Sequence, residues 1–538
     1  MTRPTLWGNQ FLLNTTIKND QENMKIHALK NGTFLAVWED YSRTGGDTSD
    51  SAIRGQIFNA DGSKRGGEFL INTTTVSAQS RPDVTVLEDG RFVVVWRDHS
   101  SGQGSSIRAR SYEADGAALG NDVELYGSNS FHSIRPSVAA LSNGNLALAF
   151  TDPDNNVLVR TFNASLQRVG TDIQVNTDST FSEIPVIVAT QGGYTVTYNR
   201  FKDNVDAVYQ RSFNNDGTAV SGASEVVVNN GSAHAFGSAS AILSNGSRIV
   251  AWCEEGSGNF NAIKAQIFNP DGSERGGEIT IQTSTVIEFD AIDVTHLADG
   301  GFAISYLVND DKSNSQALYL ATFDGSGKRV SDDVLVDQVY EPHTTNLSTL
   351  ADGRVVVAWE EWASEFDNQD LGLHAQIVDP RQKAVSLTGT AFSDQYIGTR
   401  FNDRLKGAAG DDRLEGAEGK DTLTGDAGKD TFVFKSMLNA RTNKDRITDF
   451  NVRDDSIWLD NAVFAKLGKA GSDLNPVKLR KAFFTIGDQA KDKNDYVIYD
   501  NKKGVLLYDA DGSGKEKAVE IVFLSKNLKM TNADFFIV

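Results

Sequence analysis

GGEFLINTTTVSAQSRPDVTVLEDGRFVVVWRDHSSGQGSSIRARSYEADG, residues Gly66–Gly116, holds four short runs with the marks of β-strands: EFLINT, PDVTVLE, RFVVVW and SIRARSY. Each is β-branched or alternates apolar with polar residues, and turn formers bound each one. Asp89-Gly90 separates the second run from the third, and Asp115-Gly116 follows the fourth. Asp-Gly and Asn-Gly in such places are strong hairpin signals. The unit recurs: turn glycines stand at Gly32, Gly90, Gly144, Gly193, Gly246, Gly300 and Gly353, a period of about 54 residues. A second Asp-Gly turn closes most units, at Asp61-Gly62, Asp115-Gly116, Asp216-Gly217 and Asp271-Gly272. Four antiparallel strands in each of seven units describe an all-β, seven-bladed β-propeller over residues 1–385. A β-helix and a string of sandwiches are the alternatives. Each unit reads as one outer strand followed by three strands running outward from the axis. The run around Gln10–Asn14 should therefore pair with that around Leu373–Val378 and close the ring, leaving no free edge.

An aromatic residue ends the RFVVVW-type run of every unit: Trp38, Trp96, Phe150, Tyr198, Trp252, Tyr306 and Trp359. Its period favours packing between blades over a ring of sugar-stacking platforms. Trp362 stands out of register and is the better candidate for an exposed contact. The two turn sets share one face, and the longer loops collect on the other. Those loops are acidic, with Asp40, Asp47, Asp98, Asp152, Asp206, Glu254, Glu360 and Glu361 among their carboxylates, and Asp203, Asp310, Asp311, Glu365, Asp367 and Asp370 beside them. They read either as a solvated surface or as a binding face on which cations bridge carboxylates to a ligand.

Composition narrows the function classes. The chain has 538 residues, too many for one ordinary domain, and is 39% hydrophobic, enough for packed cores. A net charge of −20 argues against nucleic acid, whose phosphates it would repel. Cys253 is the only cysteine, so no disulfide framework or cysteine zinc site can form, and it reads as a buried, unreactive thiol. The start, MTRPTLWGNQ, lacks the apolar stretch of a Sec signal, and no run approaches the length of a membrane helix. The seven histidines fall in no metal-ligand spacing, and His27 and His296 look structural. There is no G-x-S-x-G elbow and no P-loop.

The tail carries a second repeat. GTRFNDRLK, GAAGDDRLE, GAEGKDTLT and GDAGKDTFV begin at Gly398, Gly407, Gly416 and Gly425, with Asp403, Asp412, Asp421 and Asp430 sixth and Leu405, Leu414, Leu423 and Phe432 eighth. This resembles the RTX (repeats-in-toxin, haemolysin-type) nonapeptide G-G-x-G-x-D-x-U-x, a calcium-binding parallel β-roll, here over 386–434. A hard cation wants six to eight oxygens, and glycine turns can aim backbone carbonyls where aspartates add charge. The resemblance implies calcium held by Asp403, Asp412, Asp421 and Asp430 with the turn glycines Gly407, Gly410, Gly416, Gly419, Gly425 and Gly428. Two nonapeptides make one coil in that family. Asp403 and Asp421 would then share one edge and Asp412 and Asp430 the other, allowing roughly two sites. Phe401 replaces a turn glycine, and Lys420 and Lys429 stand fifth, where Asn or Asp is usual; the added positive charge should weaken binding.

Residues 435–538 read as a β-rich cap. DRITDF and DDSIWL resemble the segment after RTX repeats in exported proteases and lipases, and the closing NADFFIV resembles a type I secretion signal. In that family the chain leaves the cytosol unfolded and calcium folds the roll outside. Asp509, Asp511 and Ser513, with Gly514 and Glu520, match D-x-D-x-S-G-x5-E of a calcium loop, although strand-like flanks favour a hairpin turn. The whole reads as a secreted, bacterial, calcium-dependent binding or adhesion protein, extracellular or at the cell surface. Its propeller would face a cell-surface glycan or cell-envelope ligand. The alternatives are an exported glycosidase or lyase, a bacteriocin-like toxin and a self-associating surface-layer or matrix component. No catalytic residues can be named.

Overall fold

The recurrent glycine turns fold as three-residue hairpin loops. Leu87 N–H donates to Arg91 O at 2.7 Å, Gly90 N–H donates to Leu87 O at 3.0 Å, and Asp89 Oδ1 accepts the Arg91 N–H at 3.1 Å. Gly90 closes the loop at φ 86°, a left-handed conformation that glycine adopts without strain. The fourth unit departs from the sequence reading: its left-handed turn residue is Gly192, at φ 90°, and Gly193 already opens the strand Gly193–Lys202.

The computed structural model describes residues 4–538 except 101, 103, 131–133, 179, 203–204, 221–224, 230–233, 256–260, 285–291, 310–314, 341–343, 363–370, 470 and 474. Contacts divide it into two units, 1–29 with 34–380, and 30–33 with 381–538. The first unit is seven four-stranded antiparallel sheets, a seven-bladed propeller. One blade runs outward through Gln79–Val86, Phe92–Asp98, Ser106–Tyr112 and Val123–Gly127. The ring closes as expected, because Thr5–Leu12 lies antiparallel to Leu371–Asp379, with Phe11 opposite Ala375. Successive strands alternate in direction, so the glycine turns share one face and the crossovers between blades share the other.

Inside the ring every innermost strand is a sheet edge, and its buried N–H groups need acceptors. Side chains of the neighbouring blade supply them. Asp83 Oδ2 accepts from Val138 N at 2.8 Å, Asp293 Oδ2 from Leu347 N at 2.7 Å, Asn346 Oδ1 from Ile26 N at 2.9 Å and Glu360 Oε1 from Met24 N at 2.9 Å. Burial pushes the Asp83 and Asp293 carboxyls up and Glu360 up to about 7, and lowers His27 to about 4 with help from the charge of His296. The seven strand-end aromatics, Trp38 through Trp359, are all buried between blades, so they are packing residues. Cys253 is buried as well. The side chain of Trp362 lies outside the described residues, as do His132 and His343.

Asparagines at the outer-strand ends carry the chain into the next blade. Asn72 accepts from Ile53 N at 2.9 Å and donates to Asp47, Thr74 O and Gln79 at 2.8–3.1 Å. Asn14 and Asn176 do similar work at Leu373 and Val157.

The second unit is a parallel two-sheet coil. Ser386–Thr388, Arg404–Ala409, Thr422–Ala427 and Asp445–Ile447 stack in one sheet, and Gln395–Ile397, Arg413–Glu415, Thr431–Phe434 and Ser456–Leu459 in the other. Both sheets run on without a break into Val519–Phe523 and Phe535–Ile537. The apolar eighth residues Leu405, Leu414, Leu423 and Phe432 join Ile457, Val497, Ile521 and Phe535 in one core. No described helix is long and apolar enough to cross a membrane.

Replacing Asn72 with Ala leaves the Ile53 N–H without an acceptor inside the ring. Thermal unfolding of the variant should show a loss of about 2 kcal/mol, whereas Asn163→Ala, in an exposed turn, should change little.

Candidate metal centre and binding pocket

The roll aspartates form two ladders. Each backbone N–H donates to the Oδ1 of the aspartate one coil on: Asp394 N to Asp412 at 2.8 Å, Asp412 N to Asp430 at 3.0 Å and Asp430 N to Asp455 at 3.1 Å along one edge. The other edge runs Asp403 N to Asp421 at 2.7 Å and Asp421 N to Asp445 at 3.0 Å. The edges pair Asp403 with Asp421 and Asp412 with Asp430, and both continue further. Sequence reasoning missed Asp394, in the unit GTAFSDQYI from Gly389, because Thr390 and Phe392 stand in two glycine places. Asp445 and Asp455 were hidden by longer spacings, which place them beyond the nonapeptide period.

These side chains are almost wholly enclosed; Asp403, Asp412, Asp421 and Asp430 are each 1% exposed. The Oδ2 atoms of Asp412, Asp421 and Asp430 are buried with no hydrogen-bond partner. They lie over glycines that tolerate no side chain. A Cβ on Gly407 would stand 2.0 Å from Asp412 Oδ2, one on Gly416 2.4 Å from Asp421 Oδ2 and one on Gly425 2.2 Å from Asp430 Oδ2. Gly410, Gly419 and Gly428 pass equally close to backbone of the preceding coil. Burial, reinforced by neighbouring aspartates, pushes Asp412 up to about 7 and Asp430 up to about 6. Asp421 is also raised, by burial and then by the charge of Asp445, and Asp445 by burial with a smaller push from the charge of Asp403. Buried orphan carboxylate oxygens, Asp412 and Asp430 on one edge and Asp421 on the other, fit a divalent cation. Among the described residues no three His, Cys, Asp or Glu side chains suffice for a metal by themselves, so backbone carbonyls must complete any shell. Lys420 and Lys429 point into solvent, where their charge is screened.

Asp509, Asp511 and Ser513 occupy the loop between Val505–Tyr508 and Val519–Phe523. Asp509 Oδ1 accepts from Asp511 N at 3.3 Å, and Asp511 Oδ2 from Lys515 N at 2.8 Å. Glu520 sits in the following strand, paired with Lys444 at 2.5 Å. The hairpin keeps this glutamate out of the loop, and no helix flanks it.

On the propeller most of the acidic loop residues turn inward. Asp40 accepts from Ser42 and pairs with Arg54; Asp98 accepts from Gln79 and Ser106; Glu254 binds Lys264; Glu361 accepts from Trp359 Nε1. They cap loops and tie strands together. Asp203, Asp310, Asp311, Glu365, Asp367 and Asp370 lie outside the described residues. A cavity of about 350 Å³ opens on the loop face among Arg135, Phe181, Glu183, Phe201, Asp206 and Phe236. Two inner-strand bulges shape it. Register breaks between Glu183 and Val186 and between Phe236 and Ala239, with Ile184 at φ 53° and Gly237 at φ 61°. Phe181 is 51% exposed and Phe201 43% exposed, unusual for large apolar side chains on a rigid face. No sequence pattern announced them, because they belong to the irregular ends of strands.

Fold and site together define a β-propeller joined to a calcium-binding parallel β-roll. Residues 388–432 match the RTX calcium-binding nonapeptide repeat family in four copies. Such repeats bind calcium and are typical of secreted proteins. Among curated proteins none matches this sequence. Solved structures similar to it include a protein of unknown function from Dyadobacter fermentans (10% identity, TM-score 0.42, covering 69% of this chain and 98% of that one). A Penicillium chrysogenum α-L-arabinanase complexed with arabinobiose is 13% identical (TM-score 0.38, 56% and 94%), and a mutant of NanB sialidase from Streptococcus pneumoniae is 10% identical (TM-score 0.37, 70% and 70%). Likeness this loose carries nothing about ligand or reaction.

A folded-state pKa raised above the unfolded value of 3.8 means that the folded chain holds protons the unfolded chain has released. Without calcium, the second unit should therefore be most stable near pH 4 and lose stability as pH rises through about 6 and about 7, where Asp430 and Asp412 ionise. Calcium replaces those protons, so its affinity should rise across the same window. Thermal unfolding against pH, with calcium and with chelator, checks both signs.

Proposed function

We propose that this is a secreted, calcium-dependent binding protein whose propeller captures an extracellular carbohydrate in the pocket of Phe181, Phe201 and Phe236. The observation that carries the reading is that pocket: exposed phenyl faces beside the carboxylates of Glu183 and Asp206 and the guanidinium of Arg135. Apolar walls with a few convergent polar groups are the usual make-up of a small-ligand site. Flat apolar faces suit the C–H faces of a sugar ring, and the charged groups suit its hydroxyls. Asn199 at the pocket wall is held by bonds to Ala235 O and Ser238 at 3.3–3.4 Å, so the wall is preorganised.

Export supports the same reading. The closing strand Phe535–Ile537 is built into the second unit's sheet, opposite Ile457–Leu459, with Phe535 and Ile537 buried. A transporter that reads this segment must meet it before folding, and calcium outside the cell then stabilises the folded form by mass action. The metal ligands we assign are among the roll aspartates and their turn carbonyls, with Asp509, Asp511 and Ser513 as a weaker second place.

A glycan array probed with the intact protein tests the proposal. Phe181→Ala with Phe201→Ala should reduce binding at least tenfold, about 1.4 kcal/mol, with the thermal midpoint unchanged. Binding that survives the double variant, or appears on no glycan, refutes the pocket as a carbohydrate site. Turnover of a bound polysaccharide would favour the enzyme reading instead.

A further inference from the structure

The five glycine–aspartate turns from Gly389 to Asp430 are of two kinds. In the first two, threonine follows the leading glycine. Thr390 N–H donates to Asp394 Oδ2 at 2.6 Å, and Thr399 N–H donates to Asp403 Oδ2 at 2.5 Å. The threonine hydroxyls reach the same carboxylates at 3.0–3.1 Å and accept the N–H of Phe392 and Phe401. Both oxygens of Asp403 are therefore engaged, since Oδ1 also accepts from Val385 N at 2.7 Å.

In the last three turns that second place holds Ala408, Ala417 and Asp426 at φ 82°, 66° and 64°, and the fourth place holds Gly410, Gly419 and Gly428. Alanine is strained in the left-handed region, which aspartate tolerates better. The strain brings the aspartate no hydrogen bond. Asp426 N–H is spent on Asp449 Oδ2 at 2.7 Å, and the Oδ2 atoms of Asp412, Asp421 and Asp430 stay without donors. Backbone held in a sparsely populated region beside orphaned, buried acceptors points to a ligand that uses it.

We propose that, within the nonapeptide roll, calcium enters only at the three open turns, through Asp412, Asp421 and Asp430, and that the turns of Asp394 and Asp403 are sealed by their threonines and carry no metal. A cation at a sealed turn would meet the hydrogens of an N–H and a hydroxyl instead of free lone pairs. The sealed turns stack without calcium, and Asp394 N and Asp403 N already bond to Asp412 and Asp421 of the next coil. They form the template on which the metal-dependent coils build.

The inference rests on the calcium assignment of the repeats, and one experiment separates the two. Calcium bound to the full-length protein is counted by native mass spectrometry, with β-content checked by circular dichroism. Asp412→Asn, Asp421→Asn and Asp430→Asn should each lower the count, whereas Asp394→Asn and Asp403→Asn should keep the wild-type count. Joint Thr399→Gly and Phe401→Gly substitution, which unseals a turn, should add about one ion. Loss of calcium from Asp403→Asn equal to that from Asp421→Asn overturns the inference. So does an unsealed variant with an unchanged count, a readout that still stands if Asp403→Asn does not fold. A wild-type protein that binds no calcium would overturn the calcium assignment itself.

Discussion

A buried N–H group at a sheet edge must find an acceptor, and both units of this protein answer that demand with side-chain oxygens. In the propeller the innermost strand of each blade has no strand beyond it, and Asp83, Asp293, Asn346 and Glu360 reach across from neighbouring blades to take its N–H groups. In the roll, where parallel coils meet at tight corners, aspartate Oδ1 atoms take the N–H of the coil before. An unmade bond of this kind costs about 1–3 kcal/mol, so these acceptors hold neighbouring blades and successive coils in register.

The same demand explains why so many of the propeller's carboxylates are unavailable for binding. An acidic loop face invites a picture of cation bridges to a ligand. The structure instead commits Asp40, Asp47, Asp98, Glu254, Glu360 and Glu361 to loop caps, crossovers and strand ties. What remains open is less conspicuous in composition: Phe181 and Phe201, exposed beside inner strands whose ladders break at Glu183 and Phe236.

In the second unit the repeat and the cap share one core and two unbroken sheets. Order in the nonapeptide coils and order in the terminal strand are thereby coupled. The last residues, apolar and buried, are available to other proteins only while the chain is unfolded. Whatever orders the coils, calcium included, therefore orders the terminal strand as well.

The sequence by itself determined the periodic parts. Asp-Gly and Asn-Gly turns recurring at one spacing specify four-stranded units, seven units specify a ring, and glycine–aspartate nonapeptides specify a coil, because each signal is local and repeated. Ring closure between Thr5–Leu12 and Leu371–Asp379 was legible for the same reason. Only the tertiary structure decided which carboxylates are free. Asp403 and Asp421 occupy the same place in their repeats, yet one is sealed by Thr399 and the other is left bare above Gly416. The turn of Gly389, the continuing ladder through Asp445 and Asp455, and the pocket of Phe181 and Phe201 were illegible as well. Each depends on which donors and apolar faces three-dimensional packing brings within bonding distance, and residue spacing along the chain does not encode that.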